Sequence, residues 1–228
     1  MDERMFERLN AYYRDLSRTD TLAGKCSMSL PLQLSGLRVI DVLCRSGKGA
    51  FKLSDAVGDA GFVLGIDPDK SCIERAVAAA SGNHRSGHGW SRYLRFEQAF
   101  PENLAQAGVS DASYDAVYVN CGLADVFDLP AALAEFHRCL KPGGFLWVAE
   151  GVFRGASGHE DGVSDEPAPM RAAPHRTLTI DAFAALCRDA GFGRVEVADV
   201  VPVPSGQLAL SEGCERTSLV MADIKATV

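Results

Sequence analysis

Short apolar runs alternate with helical patterns along most of the chain. The runs contain mainly β-branched and aromatic residues, which favour strands, and most segments between them repeat apolar residues at the spacing of a helix face. Strands are predicted at 37–42, 62–67, 93–96, 114–120 and 145–149, and helices at 4–16, 50–56, 70–80, 130–140 and 180–190. This alternation predicts a doubly wound, mostly parallel sheet with helices on both faces.

The C-terminal part of the sequence departs from this alternation. Residues 151–176 are rich in Gly, Ser, Asp, Pro and His without periodicity, which predicts a surface loop or lid. The runs 194–203 and 217–224 are separated by a Pro-, Gly- and Ser-containing turn region. Two strands joined in this way favour an antiparallel pair at one edge of the sheet.

Composition excludes several classes of protein. The chain of 228 residues has a formal net charge of −7, and such a surface repels phosphate backbones and anionic lipids. We therefore expect no nucleic-acid partner and no membrane face. The N-terminus has two acids in its first three residues and no apolar run, so we expect a cytoplasmic protein without a secretory signal. The sequence gives no signal for an oligomeric state.

Cysteine and histidine usage gives no sign of a disulfide framework or a metal site. The seven cysteines are an odd number, contain no CxxC pair and lack a secretory context, so we expect reduced thiols. His159-Glu160-Asp161 and His175 match no ligand spacing for a metal, and an acidic surface loop accounts for them better.

The ligand of such a sheet is expected beyond the first strand. Ligands of doubly wound sheets bind outside the carboxyl ends of the strands, which here places the segment 41–49 and Asp67 at the site. A P-loop is excluded because Val42 and Gly49 stand where it needs Gly and Ser or Thr. The G-x-G-x-x-G pattern of dinucleotide folds is also missing. An S-adenosylmethionine site remains, with Asp67 placed to accept hydrogen bonds from the ribose; as an alternative, Asp67 is only a helix N-terminal acid before Pro68.

Val39-Ile40-Asp41 with Gly47, the segment 53–61 and Gly65-Ile66-Asp67 resemble the front half of the class I S-adenosylmethionine-dependent methyltransferases. The turn Lys141-Pro142-Gly143-Gly144 is general to that class. The segment 96–104 and the strand end Val119-Asn120-Cys121 are similar, more narrowly, to the arsenite methyltransferase family. Together with Cys26, these segments cover about residues 26–144.

The resemblance implies a Rossmann-like methyltransferase fold, S-adenosylmethionine as cofactor and a small-molecule methyl acceptor. The implied cofactor residues are Asp41, Leu43, Cys44, Arg45, Gly47, Asp67, Pro68, Phe100, Pro101 and Asn120. We expect one α/β domain over 1–228 with a seven-stranded sheet. Its expected parts are an N-terminal helix and cap at 1–36, a cofactor-binding half at 37–150, the loop or lid at 151–176, and a C-terminal helix with edge strands at 177–228.

The resemblance also assigns roles to two cysteines. Cys121 and Cys26 match thiolates that hold a trivalent arsenical, a soft acceptor that prefers sulfur over oxygen. The family's third cysteine falls near Ala173, where this chain has none. Without the resemblance, lone cysteines of this kind are more often small core residues.

Two departures in the cofactor loop leave the function open between alternatives. The first two glycines of the family's loop are Leu43 and Arg45 here, and side chains at these positions can block the cofactor unless Arg45 turns outward or onto the cofactor's carboxylate. The leading hypothesis is a small-molecule methyltransferase with a thiol-held acceptor. The alternatives are a methyltransferase-fold protein that binds a ligand or partner without turnover, and a methyltransferase for an ordinary oxygen, nitrogen or carbon acceptor.

Overall fold

The computed structural model describes residues 2–16, 28–82, 93–154, 179–202 and 219–228. Within these ranges seven strands form one sheet: β1 (Arg38–Val42), β2 (Phe62–Asp67), β3 (Leu94–Gln98), β4 (Tyr114–Asn120), β5 (Leu140–Arg154), β6 (Arg194–Pro202) and β7 (Leu219–Thr227). Five α-helices accompany them: α1 (Glu3–Asp15), α2 (Lys48–Val57), α3 (Lys70–Gly82), α4 (Leu129–Cys139) and α5 (Ile180–Asp189). Short 3-10 helices lie at Leu104–Ala107 and Leu123–Asp125.

The strand order is β3-β2-β1-β4-β5-β7-β6. The first five strands in this order run parallel, while β7 is antiparallel to both β5 and β6. This confirms the predicted seven-stranded, mostly parallel sheet with an antiparallel C-terminal pair. Because β1 stands between β2 and β4, the order reverses there, and a crevice opens beyond the carboxyl ends of these strands.

The core consists of two apolar layers, one on each face of the sheet. One layer contains Ile40, Ile66, Leu133 and Phe183, and the other contains Val39, Leu53, Val63 and Trp147. Strands buried on both faces need apolar residues at successive positions, which is why β1, β2 and β4 are almost continuously apolar. The sheet therefore gives a rigid base for the loops at its carboxyl edge.

Helix α1 lies at that carboxyl edge and is fixed by aromatic contacts. Asp2 caps the helix, because its side chain accepts a hydrogen bond from the Met5 amide at 2.7 Å. Tyr13 stacks on Phe100 with ring centroids 5.6 Å apart, and Phe6 meets the same ring edge-on at 5.6 Å. An N-terminal helix was predicted from its apolar spacing, but its place over the crevice was not.

Strand β5 is longer than predicted at both ends. Residues 141–144 lie within it, and the register with β4 shifts there from the Tyr114–Leu140 pair to the Ala116–Phe145 pair. Residues 151–154 also continue the strand because they pair with β7, so the boundary predicted at 151 is wrong by four residues. Most of the predicted loop or lid, including His159 and His175, lies outside the described residues. No helix within the described ranges is long and apolar enough to cross a membrane.

Candidate cofactor site

A cleft of about 1220 Å³ opens at the carboxyl edge of the sheet. Its walls come from α1, the loop after β1, the start of α3 and the ends of β3 and β4. The lining residues are Asn10, Tyr13, Arg14, Leu16, Asp41, Leu43, Cys44, Arg45, Ser46, Lys48, Gly49, Pro68, Asp69, Lys70, Cys72, Arg75, Gln98, Phe100 and Asn120. Since parallel strands end at the same edge, residues far apart in sequence meet here.

The loop after β1 keeps a glycine-type backbone without most of its glycines. Leu43 has φ +57° and Arg45 has φ +52°, both in the left-handed region, and Gly47 follows with φ +84°. A non-glycine residue in this region costs about 1–2 kcal/mol, because its Cβ crowds the following carbonyl oxygen. The conformation expected of the family's glycines at 43 and 45 is therefore present, at the expense of local strain.

The Leu43 side chain is directed into the protein and is only 6% exposed. A Cβ at Gly122 would lie 3.0 Å from Leu43 Cδ1, so the absence of a side chain at Gly122 makes room for it. Leu43 thus joins the apolar core below the loop while still contributing to the cleft wall. The obstruction expected from a bulky residue at 43 is reduced by this packing.

The Arg45 side chain instead extends along the cleft. Its Nη2 lies 3.4 Å from Asp125 Oδ2 in the 3-10 helix after β4, and the Arg45 side chain is 22% exposed. Asp125 is held against α1 as well, since the Tyr12 hydroxyl donates to its carbonyl oxygen at 3.2 Å. Arg45 therefore links the β1 loop to the segment that follows β4.

Asp67 lies at the end of β2 and is completely buried. Its Oδ2 accepts a hydrogen bond from the Arg45 amide at 2.9 Å, and its Oδ1 accepts one from the Asp69 amide at 2.9 Å. The carboxylate thus fastens the cofactor loop to the start of α3, and it does not line the cleft. Its predicted hydrogen bonds to a ribose stay a prediction.

Two residues that line the cleft carry buried acceptor atoms for which no hydrogen bond is found in the described part of the chain. These atoms are Asp41 Oδ2 at the end of β1 and Asn120 Oδ1 at the end of β4. A buried polar atom without a hydrogen bond costs about 1–3 kcal/mol, so such atoms point to a ligand that supplies donors. Burial, followed by the nearby charge of Asp67, raises the pKa of Asp41 to about 8.

The opposite wall is aromatic and comes from α1 and the segment after β3. Phe100 is 3% exposed and stacks against Tyr13. The Tyr13 hydroxyl donates to Glu102 Oε1 at 2.9 Å, and this carboxylate also accepts from the amides of Phe127 and Asp128 at 3.1 Å. Burial raises the pKa of Glu102. The network fixes α1 as one side of the cleft.

The cysteines differ from the expectation in one respect. Cys121, with φ +49° directly after β4, is disulfide-bonded, so the expectation of reduced thiols is wrong for this residue. Cys44, Cys72, Cys139 and Cys187 are buried thiols, and burial raises the pKa of Cys44 well above its usual range. Cys26 and Cys214 lie outside the described residues. No group of three or more metal-binding side chains occurs in the ranges that the structure describes.

Most of the predicted cofactor residues come together in the cleft. Asp41, Leu43, Cys44, Arg45, Pro68, Phe100 and Asn120 line it, whereas Gly47, Asp67 and Pro101 do not. A Cβ at Gly47 would lie 2.8 Å from the Phe96 ring, so this glycine is required by packing. Sequence reasoning missed the contributions of α1 and of the first turn of α3. Gln98 at the end of β3 could have been found, since that strand ends at the same edge.

Comparisons with known proteins show the family to which the chain belongs. A family model described as a methyltransferase domain matches residues 33–177. The arsenite methyltransferases of Mus musculus and Homo sapiens are 33% and 32% identical over 126 residues, which are 55% of this chain and 33% of each relative. The demethylmenaquinone methyltransferase of Staphylococcus aureus is 35% identical over 117 residues, which are 50% of this chain and 43% of the relative. The chain thus matches about a third of the length of the arsenite methyltransferases.

Solved structures show the same fold. An arsenic(III) S-adenosylmethionine methyltransferase from Chlamydomonas reinhardtii is 22% identical with a TM-score of 0.70, covering 96% of this chain and 72% of that chain. The [4+2]-cyclase SpnF is 18% identical with a TM-score of 0.60, covering 99% and 82%. The chain therefore belongs to the methyltransferase-domain family, of the class that uses S-adenosylmethionine as cofactor, and it resembles the arsenite methyltransferases.

Proposed function

We propose that the protein transfers a methyl group from S-adenosylmethionine to a small molecule. The observation that carries this proposal is the pair of unpartnered acceptors, Asp41 Oδ2 and Asn120 Oδ1, in a cleft at the switch point of the sheet. The α-ammonium group of the cofactor supplies the donors that these atoms lack. An ammonium beside Asp41 also favours the ionised carboxylate, which burial alone disfavours.

The remaining parts of the cofactor match neighbouring features of the cleft. The N-terminus of α2, at Lys48 and Gly49, favours the negative charge of the methionine carboxylate. The aromatic wall at Phe100 offers an apolar surface to the adenine ring. Asp67 lies one strand away from Asp41 but does not line the cleft, so its role at the ribose stays a prediction.

The bound cofactor supplies an electrophilic methyl group on a sulfonium. The protein then has to hold the acceptor in line with the carbon–sulfur bond and keep water away, so positioning provides most of the rate acceleration. The half-buried Asn120 at the end of β4 lines one part of the cleft, and Tyr13 and Leu16 of α1 line another. These two parts are where an acceptor meets the methyl group.

For the acceptor, the proposal extends to a trivalent arsenical held by Cys121 and Cys26. Its support is the place of Cys121 directly after β4, where the strand end opens into the cleft, together with the resemblance to arsenite methyltransferases. Two thiolates satisfy the two open valences of a monosubstituted arsenical. Because Cys121 is disulfide-bonded in this structure, this acceptor site forms only after reduction.

A titration with phenylarsine oxide tests the acceptor. Protein reduced and freed of reductant should bind about one equivalent tightly, and Cys121→Ser and Cys26→Ser should each lose it. Cys139→Ser is the matched control, since Cys139 is fully buried on α4 and its Sγ is 3.2 Å from the Phe136 carbonyl oxygen, an interaction that serine preserves. Binding that persists in both Cys121→Ser and Cys26→Ser excludes the arsenical and leaves the acceptor as an oxygen, nitrogen or carbon nucleophile.

The second candidate is binding of the cofactor or a related ligand without methyl transfer. The strained Leu43 and Arg45 favour it, because they replace residues that approach a cofactor through their backbone alone. The two functions differ in one observable. A protein that binds S-adenosylmethionine and also binds methylarsenite through its reduced thiols, but never forms S-adenosylhomocysteine, supports the second candidate.

A further inference from the structure

The charge of the cleft is opposite to the charge of the chain. Among the residues that the structure describes, five cationic side chains and two acidic ones line the cleft, although the chain has 30 acidic and 23 basic residues. The cations are Arg14, Arg45, Lys48, Lys70 and Arg75, and the carboxylates are Asp41 and Asp69. A cleft of this sign concentrates ligands that carry negative charge.

Arg45 is a partly buried member of this set. Its side chain is 22% exposed, whereas those of Arg14 and Lys70 are each 75% exposed. Exposed cations are screened by solvent and salt, so they contribute little to the recognition of a single charged group. The guanidinium of Arg45 is therefore better placed than these two to bind an anionic group inside the cleft.

The position of Arg45 is fixed from two sides. Its amide is bound to Asp67, and its guanidinium lies 3.4 Å from Asp125, whose side chain is 5% exposed. In addition, the residue is held at φ +52°, a strained conformation that persists only where the surroundings enforce it. A side chain anchored in this way loses little conformational freedom when it binds a ligand.

A ligand carboxylate near Arg45 also suits the charge of the proposed cofactor. Its sulfonium is a cation, and two cations in a partly buried cleft repel each other. A carboxylate placed between them attracts both. The planar guanidinium also matches a carboxylate geometrically, because it can donate two parallel hydrogen bonds to the two oxygens.

We propose that Arg45 is a specificity-determining residue that binds a carboxylate of a ligand in the cleft. The carboxylate comes either from the methionine part of the cofactor or from the methyl acceptor. The inference rests on the proposed function, since it takes S-adenosylmethionine as an occupant of the cleft. It goes beyond that function because it gives a role to the arginine that stands where the family's loop has a glycine. This arginine selects a ligand that carries a carboxylate.

The test compares Arg45→Gln with the wild type by calorimetry, using two pairs of ligands that differ in a carboxylate. S-adenosylhomocysteine carries the cofactor's carboxylate, and its decarboxylated analogue, which keeps the ammonium, lacks it. The second pair consists of two acceptor probes, 4-hydroxybenzoate and 4-hydroxybenzamide, which are titrated into protein saturated with S-adenosylhomocysteine. Arg95→Gln is the control, because Arg95 pairs with Glu97 much as Arg45 pairs with Asp125 but does not line the cleft.

If Arg45 binds the cofactor's carboxylate, Arg45→Gln weakens S-adenosylhomocysteine by about tenfold or more and leaves the decarboxylated analogue unchanged. If it binds the acceptor's carboxylate, the loss appears only for 4-hydroxybenzoate. Arg45→Lys, which keeps the charge but not the paired donors, should fall between the wild type and Arg45→Gln. Thermal unfolding of each variant verifies that the fold is intact.

The inference is overturned if Arg45→Gln binds both the cofactor ligands and the acceptor probes with unchanged affinity. It is also overturned if the variant loses equal affinity for ligands with and without the carboxylate. Failure of the proposed function is visible separately. Wild-type protein that binds neither S-adenosylhomocysteine nor S-adenosylmethionine rejects the cofactor itself, before any Arg45 variant is compared. Wild-type binding that Arg45→Gln does not alter rejects only the role of Arg45.

Discussion

The amide of Arg45 donates a hydrogen bond to Asp67 Oδ2 at 2.9 Å, which fastens the loop after β1 to the end of β2. The same carboxylate accepts the Asp69 amide through Oδ1. One buried side chain thus determines the shape of two loops that line the cleft. Any ribose at this place would share Asp67 with the two amides, so cofactor binding and loop shape are coupled.

Asp67→Ala should weaken the binding of S-adenosylhomocysteine by about tenfold or more, which corresponds to about 1.4 kcal/mol. Adenosine separates the two roles of the carboxylate, because it has the ribose but no methionine part to contact the loop. An equal loss for adenosine locates the effect at the ribose, whereas a loss confined to S-adenosylhomocysteine locates it at the loop. Unchanged calorimetric affinity for both ligands removes Asp67 from the binding site.

Because the backbone at position 45 is left-handed, glycine should stabilise the protein more than alanine there, the reverse of their order inside a helix. Arg45→Gly should be more stable than Arg45→Ala by about 1 kcal/mol, because glycine adopts a positive φ without steric cost. Arg75 provides the matched control, since it lies inside α3, where glycine should be less stable than alanine by about 1 kcal/mol. Urea unfolding of the four variants gives the comparison. Equal stability of the two Arg45 variants would mean that the loop relaxes out of the left-handed region.

Burial of Asp41 predicts a pH dependence of stability. Its pKa is raised to about 8 from an ordinary value near 4, so the folded state holds a proton that the unfolded state has lost. Stability therefore decreases as the pH rises through this window, and the decrease is complete above a pH of about 8. Asp41→Asn should be stabilised relative to the wild type, by more at pH 8.5 than at pH 5, with a difference on the order of a few kcal/mol.

Chemical unfolding of the wild type and Asp41→Asn at several pH values measures this difference. Glu102 contributes a slope of the same sign, since its pKa is also raised by burial, but it does so in both proteins and cancels in the comparison. A constant difference between the two proteins from pH 5 to pH 8.5 would contradict the assignment of a buried, protonated carboxyl to position 41.

The disulfide of Cys121 predicts a specific peptide pair. If the two cysteines of the proposed acceptor site lie together, proteolysis without reduction should give a peptide that joins the Cys121 segment to the Cys26 segment. Reduction should separate the two, and mass spectrometry measures both states. A Cys121 peptide joined to the Cys214 segment would contradict the proposal that Cys121 and Cys26 lie together at the acceptor site.

Local patterns in the sequence predict the strands and the edge of the sheet where the site lies. The apolar runs at β2 and β4 match the strand bounds, and residues that follow β1, β2 and β4 could be placed at the crevice because parallel strands end together. Long-range contacts carry the rest. Residues 151–154 belong to β5 only because β7 pairs with them, although Gly151 interrupts the apolar pattern.

In the site, too, local sequence patterns predict some features and long-range contacts determine the others. The sequence reveals that Leu43 and Arg45 replace glycines, but not that the backbone keeps its left-handed shape or that Leu43 packs against Gly122. Likewise, α1 was predicted as a helix, yet its place over the cleft depends on Tyr13 and Glu102, which are 89 positions apart. Neither contact has a signature in local residue spacing.

The most direct measurement of the central claim is a calorimetric titration of the wild-type protein with S-adenosylmethionine and S-adenosylhomocysteine. The account predicts one saturable site for each ligand, competition between the two, and a loss of affinity in Asp41→Ala, which removes an acceptor for the ammonium group. Asp55→Ala is the control, since Asp55 is exposed on α2 and does not line the cleft. An absence of binding heat for both ligands, together with an unchanged melting temperature in their presence, would contradict the claim that this cleft holds S-adenosylmethionine.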